Sequence, residues 1–400
     1  MRPFFQNYLI NRKPIKIVIF DFMKRKVFFG FIIFYLGWMF FSVSCKNDLD
    51  INAPYRESVA VYALISTSDT VNYVRVNRVF LGEGDATQIA QIQDSAYFKP
   101  GEVTVYVEKY YNGQKKQTIP FSETFVQLSP GVFNTNQLIY RSTFKFKADT
   151  NVTSANIVDF QYKLVVKNNV TGKIFTATTK LVRSIRGCPG SLPGCFFREL
   201  PLPAYNVNIP VNGNANVVIG SVVNAKVYNF SYRFYWRDSL FDGTIIPRSL
   251  DFTLGTRISN GISGGENIDF SYPGSIFYST IRDKVPDDSN VMKRLADSIS
   301  FYFDLGGEEF YWYNEINGTS GSFGQEKPIY TNIDNGGVGF FTGKYRYVFT
   351  RKFFNFSDFS QQDSVMSQLT VQNLMQNCKT ICKRFKGPGW ATNTGGSCCY

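Results

Sequence analysis

The chain contains no histidine in its 400 residues. That absence removes the commonest side chain that titrates near neutral pH, the commonest metal ligand, and every Ser-His or Cys-His nucleophile pair. Charge is also scarce: Asp, Glu, Lys and Arg make up 18% of the chain, and no long block of one sign occurs. The net charge of +12 is concentrated at the front. Seven of the 43 basic residues and one of the 31 acids fall in residues 1–44, so the remainder carries 36 against 30, a net of +6 without a basic stripe. Nucleic acid is therefore excluded as the expected partner. What the chain has in quantity is aromatic: 39 Phe and 24 Tyr, within a hydrophobic share of 44%. Residues of this kind suit the half-buried surface of a sheet, and the composition is that of a folded chain long enough for two domains.

The one long uncharged run is Val27 to Val43, preceded by Met23-Lys24-Arg25-Lys26 and followed by Ser44. A basic start, an apolar middle and a small residue describe a secretory signal peptide over residues 1–44, with Met23 as its natural start. A membrane-spanning anchor is the alternative, for which seventeen residues is the short limit. Ser42-Val43-Ser44-Cys45 resembles a bacterial lipobox, with Ser42 where leucine is usual, and the resemblance implies a lipid anchor on Cys45. Lys46, Asn47, Asp48 and Asp50 then resemble the acidic export tag of Bacteroidetes lipoproteins displayed on the outer face of the outer membrane. Residues 45–57 become a lipidated tether.

Six further cysteines, an even number, suit an oxidising compartment. Cys188 and Cys195 bracket a Pro/Gly loop, while Cys378, Cys382, Cys398 and Cys399 crowd the C-terminal tail; disulfides are the expectation, with pairing left open. A four-thiolate zinc site is the rival, disfavoured by the adjacent Cys398-Cys399 and the lack of CxxC spacing. No cofactor or metal is expected.

Residues 58–185 read as strand after strand, with hairpins at Asn112-Gly113 and around Gly172 and a short helix from Asp85 to Ile92. An immunoglobulin-like β-sandwich is the expected fold. Residues 186–204 form a Cys/Pro-rich junction. Residues 205–356 are expected to form a second β-rich domain with one or two helices. YNFSYRFYWRD, SLDFTLGTR, SIFYSTIRDK, ISFYFDLG and EFYWYNEI are expected as strands. A helix is expected over PDDSNVMKRLADS, capped by Asp288 and Ser289 and burying Val291, Met292, Leu295 and Ile299. Residues 357–400 hold a C-terminal helix, Ser357 to Asn377, and the cysteine tail.

The stretches VAVYALISTSDTVNYVRVNRVFLGEGDATQIAQIQDSAYF and KPIYTNIDNGGVGFFTGKYRY resemble segments of a family of Bacteroidetes outer-membrane lipoproteins. The resemblance spans most of residues 45–377 and carries no catalytic motif; the double-cysteine terminus has no counterpart in it. It implies an accessory of a TonB-dependent outer-membrane transporter.

Asp-Ser or Asp-Thr before a small or aliphatic residue occurs at Thr70, Ser95, Ser239, Ser298 and Ser364, against roughly one or two expected by chance for so short a motif. These resemble O-glycosylation acceptors; turns and helix starts are the plainer source of such pairs. Trp236, Tyr311, Trp312 and Tyr313 are candidates for stacking a sugar ring or a peptide, against the plainer reading that alternate members face a core. Glu308-Glu309 and Asp287-Asp288 are the adjacent acid pairs, and neighbours on a strand cannot face one another across a cleft as glycoside hydrolysis requires. PDDSN and NIDNGG lack the spaced ligands of a calcium loop. The expectation is a non-catalytic binding or accessory protein with an outer-membrane protein partner and a glycan or peptide ligand. The rival classes are an adhesion protein of the envelope and a carboxylate-based enzyme acting on glycans or peptides.

Overall fold

The computed structural model describes residues 57–79, 97–127, 136–150, 158–184, 208–318 and 329–353, together with 370, 374, 385 and 386. The protein is mainly β, and an immunoglobulin-like sandwich opens it. One layer pairs β1 (Val59–Ser66), β2 (Asn72–Arg78), β5 (Asn136–Ser142) and the second half of β4 (Gln114–Gln127). The other pairs the first half of β4 with β3 (Val103–Tyr111), β6 (Gln161–Asn168) and β7 (Ile174–Lys180). β4 thus leaves one sheet and enters the other near Phe121 and Ser122. The orders 1-2-5-4 and 4-3-6-7 are those of an immunoglobulin-type Greek key. Val61, Ala63, Val105, Val107, Leu164 and Phe175 fill the space between the layers. Asn112 and Gly113 both take positive φ, +47° and +73°, which makes the β3–β4 turn of the kind that Asn-Gly favours. Tyr162, buried at the start of β6, donates its hydroxyl to the Lys147 carbonyl at 2.7 Å and ties down the preceding connection.

The remaining strands are β8 (Asn214–Gly220), β9 (Val227–Leu240), β10 (Ile245–Ile258), β11 (Asn267–Pro273), β12 (Val291–Gly306), β13 (Val338–Lys352) and β14 (Phe385–Lys386). Strands β10, β9, β12 and β13 pair in that order, with β14 beside β12. The expected boundary at 186–204 does not separate the sheets. β13 pairs β1 in parallel over Ala60–Ser66, so the sandwich layer continues into the second half. Two apolar clusters nevertheless form, one in the sandwich and one under the long strands. Phe341 and Ile333 are lent to the first, Val182 to the second.

The second cluster is an aromatic ladder. Tyr228, Phe230, Tyr232, Phe234 and Trp236 take alternate positions of β9 and all face inward. Phe252 stacks on Tyr232 at 4.5 Å, Phe230 on Phe303 at 4.6 Å, and Phe301 on Phe349 at 4.8 Å, crossing four strands. The two-stranded β8–β11 sheet lies over it through Phe270 and Tyr272. Helix α1 (Ser275–Lys284) adds Phe277, Tyr278 and Ile281.

Three expectations fail here. SIFYSTIRDK is α1, not a strand: its buried residues Phe277, Tyr278 and Ile281 fall on one helical face, and Arg282 and Lys284 sit in the last turn where the helix dipole favours them. EFYWYNEI lies in helix α2 (Glu308–Gly318), whose first turn holds Glu308 and Glu309. The expected helix at 288–299 is the start of β12. Its register slips between Val291 and Lys293 and again between Ala296 and Ser298. Each extra residue lengthens the buried interval, so Val291, Arg294, Ala296 and Ile299 face inward at spacings that imitate a helix. Met292 is exposed, and Asp288 is a turn residue whose carboxylate accepts the Asn290 N–H at 2.9 Å. The expected helix at 85–92 lies outside the described residues; of the one at 357–377, Thr370 and Leu374 are described and helical.

The sheet edges are covered or blunted. NIDNGG lies along β7: the Asp334 N–H donates to the Thr176 carbonyl at 2.7 Å and the Asn335 amide to the Ile174 carbonyl at 2.8 Å. β10, the opposite edge, carries Pro247 and a bulge at Thr253–Gly255.

Candidate interaction surface

The alternation that buries the even residues of β9 turns Arg233, Tyr235 and Arg237 outward. Opposite them across the ladder stand residues of β10, β12 and β13, and the result is a face of paired charges. Arg233 grips Asp251 with two nitrogens, the second bond at 2.8 Å. Arg237 holds Asp297 at 2.6–2.9 Å, and Arg346 holds Asp304, its second bond at 2.9 Å. Tyr235 and Tyr302 share a hydrogen bond of 3.1 Å between them, Ser300 bonds Thr350 at 2.8 Å, and Lys344 meets Asp69 at 3.0 Å. The bidentate geometry fixes each guanidinium as a flat plate on the sheet. Arginine and tyrosine are the polar residues most enriched where proteins meet.

These contacts have a pH signature. The hydrogen bond from Arg233 holds the Asp251 carboxyl below its usual value. At Asp69 burial pushes upward, but hydrogen bonding and attraction from Lys344 with hydrogen bonds from Ser66 and Ser68 win, and its value also falls. A carboxyl depressed in the folded state contributes stability that is complete above the unfolded value near 4, and loses it as pH falls through the lower folded value. The melting temperature should therefore decline below about pH 4, with a shallower decline in Asp251→Asn; the contribution is small because both partners are well exposed. Between about pH 6 and 8 it should stay level, since no histidine titrates there.

The expected stacking residues separate. Trp236 is 5% exposed, packs on Phe234 and Phe385, and donates its indole N–H to Asp238 at 2.9 Å. It is a core residue and offers no platform. Tyr313 turns onto Phe340 and Tyr62 from α2, and burial with the hydrogen bond to Tyr62 pushes its hydroxyl up to about 12. Tyr311 and Trp312 remain at the surface, Trp312 41% exposed, with the Lys226 ammonium 5.5 Å from the Tyr311 ring. α2 is held by Glu309, whose carboxylate accepts the hydroxyls of Thr179 at 2.9 Å and Thr342 at 2.7 Å. The Glu308-Glu309 pair thus anchors a helix.

Of the Asp-Ser/Thr sites, Thr70 is exposed in a turn. Ser239 is buried within β9, and Ser298 sits half-buried within β12. Their aspartates have structural work: Asp297 in the pair with Arg237, Asp238 in a buried cluster. Asp238 accepts from Trp236, from Arg294 at 3.0 Å and from Arg248 at 3.1 Å, while Arg294 also donates to the Pro286 carbonyl at 2.7 Å. Ser95, Ser364, Cys45, the residues Lys46, Asn47, Asp48 and Asp50, and the cysteines 188, 195, 378, 382, 398 and 399 lie outside the described residues. Among the described residues no cluster of Cys, Asp and Glu could hold a metal, and no helix is long and apolar enough to cross a membrane.

No protein-family model and no curated protein matches the chain.

The outward arginine face was missed by sequence reasoning. Its signal was present in YNFSYRFYWRD, where strict alternation leaves Arg233, Tyr235 and Arg237 on the side away from the aromatic core.

Proposed function

We propose that the chain is a surface-exposed, lipid-anchored protein of the outer membrane, tethered through Cys45, that works as a non-catalytic binding or accessory subunit of a TonB-dependent transport complex. The observation that carries the binding half of this reading is the preorganised face of Arg233, Arg237 and Arg346, each clamped by an aspartate and interleaved with Tyr235 and Tyr302. A protein partner meeting it loses little side-chain freedom from groups already held in place. The register supports the tethered arrangement. Ala60 aligns with Val338, Lys352 with Ser298, and Val291 with Leu240. Counted along the ladder, the β9–β10 hairpin lies about twenty residues of strand register beyond the start of β1. The lipobox resemblance at Cys45 and the acidic residues after it support the address.

The test is a gentle-detergent purification of the tagged protein from its native membrane, with co-purifying proteins identified by mass spectrometry. A stoichiometric outer-membrane barrel is the expected result, lost when Arg233 and Arg346 are both replaced by glutamate. Recovery of the lipoprotein alone would overturn the accessory role in favour of adhesion or free-standing ligand binding.

A further inference from the structure

Where β4 passes from one layer of the sandwich to the other, an open groove of about 460 Å³ forms, lined by Thr118, Pro120, Ser122, Glu123, Arg141 and Phe144 among others. Its backbone is unusual. Pro120 stands opposite Tyr106 in the β3–β4 ladder and has no N–H to give, so this pair is one of those that exchange no direct hydrogen bonds. Such pairs alternate with bonded ones, and no register slip intervenes, so Thr118 opposite Glu108 is of the same kind. The N–H and C=O of Thr118, and the C=O of Pro120, therefore point away from β3. β5 pairs β4 only from Ser122 onward, so nothing among the described strands takes them up.

Basic side chains outnumber acidic ones around this edge. The side chain of Arg141, on β5 opposite Ser122, is exposed and has no hydrogen-bond or ion-pair partner among the described residues. The side chains of Lys116 and Lys145, next along the chain to lining residues Gln117 and Phe144, are also exposed and without such a partner among the described residues. One acid lines the groove as well: Glu123, whose carboxylate accepts the Gly101 N–H at 2.8 Å.

We propose that this edge receives an extended acidic segment of a partner protein, which adds a short strand to β4 at Thr118 and pairs a carboxylate with Arg141. A strand edge supplies a donor and an acceptor at the spacing of another peptide, and alternate side chains of the added strand then face the cations. An anionic glycan would use the arginine and hydroxyls but has no need of the open backbone pair, which favours the peptide. The proposal concerns a surface apart from the arginine face and stands whether or not a transporter is the membrane partner.

The test is fluorescence polarisation of a labelled synthetic peptide of about ten residues, alternating Glu and Thr, with the full chain in detergent. Saturable binding is expected, weakened about tenfold or more by Arg141→Ala. Thr118→Pro should weaken it to a similar degree, because it removes the open N–H without touching a bond to β3; an unchanged thermal midpoint checks that this variant folds. The same peptide N-methylated on alternate residues should fail to bind, as should a Lys-Thr counterpart. Equal binding of the N-methylated peptide would reduce the site to charge attraction and overturn strand addition. Tighter, Arg141-dependent binding of oligogalacturonate would make the groove a glycan site instead, and no saturable binding of the Glu-Thr peptide would dismiss the proposal outright.

Discussion

Gly339→Ala is expected to lower the unfolding free energy by about 3 to 5 kcal/mol, since strain and overpacking both act there. Gly339 holds φ at +103°, a conformation side-chain-bearing residues rarely adopt, and a Cβ on it would stand 2.0 Å from the Val61 carbonyl oxygen. That oxygen belongs to β1, the strand with which β13 pairs, so neither side can yield without breaking the ladder that joins the two halves. Gly113 provides the comparison. Its φ is +73°, but a Cβ there meets nothing within 4 Å, so Gly113→Ala should cost about 1 kcal/mol. Urea unfolding of both variants beside the parent measures the difference. Equal midpoints for the two would mean that β13 does not approach β1 as closely as described.

The second large effect concerns the charge under the aromatic core. Arg294 is 1% exposed and Asp238 4%. Arg294→Met should cost about 3 to 5 kcal/mol, because it leaves a buried carboxylate with only the half-exposed Arg248 to balance it. Adding Asp238→Asn should recover much of that loss, to a net deficit of about 1 to 2 kcal/mol. The asparagine oxygen can still accept from the Trp236 indole, and no uncompensated charge is then buried. If the double variant were as unstable as the single, the loss would have to come from packing of the arginine stem and not from the stranded charge.

Much of the sandwich was readable in the amino-acid order because its hairpins are local. Asn112-Gly113 and Gly172 mark their turns, and clean alternation marks the strands on either side. The same alternation gave away β9. What misled was β12, where two bulges turn a period of two into spacings of three, and the aromatic helices α1 and α2, whose Phe, Tyr and Trp suit strands by propensity alone. Glu308-Glu309 at the front of α2 and Arg282 and Lys284 at the back of α1 were the electrostatic signals that outweigh propensity there. The interaction face and the β4 groove depend on which residues sit opposite one another across strands far apart in the chain. Single-strand patterns do not carry that information. Asp238-Ser239 and Asp297-Ser298 show the converse: the aspartate of each short motif takes part in cross-strand ion pairing that its neighbours in sequence do not reveal.

The parallel pairing of β1 with β13 has a consequence for how the chain is made. Val59 begins the first strand of the sandwich, yet the neighbour on its outer side starts at Val338. Until some 280 residues have followed it, β1 presents an open edge, and Phe341 is missing from the core it helps to fill. No N-terminal fragment ending before β13 is therefore a finished module. Ribosome-bound chains of increasing length should stay protease-sensitive at β1 and gain protection together once β13 has emerged, a late and cooperative closure in which β13 locks β1.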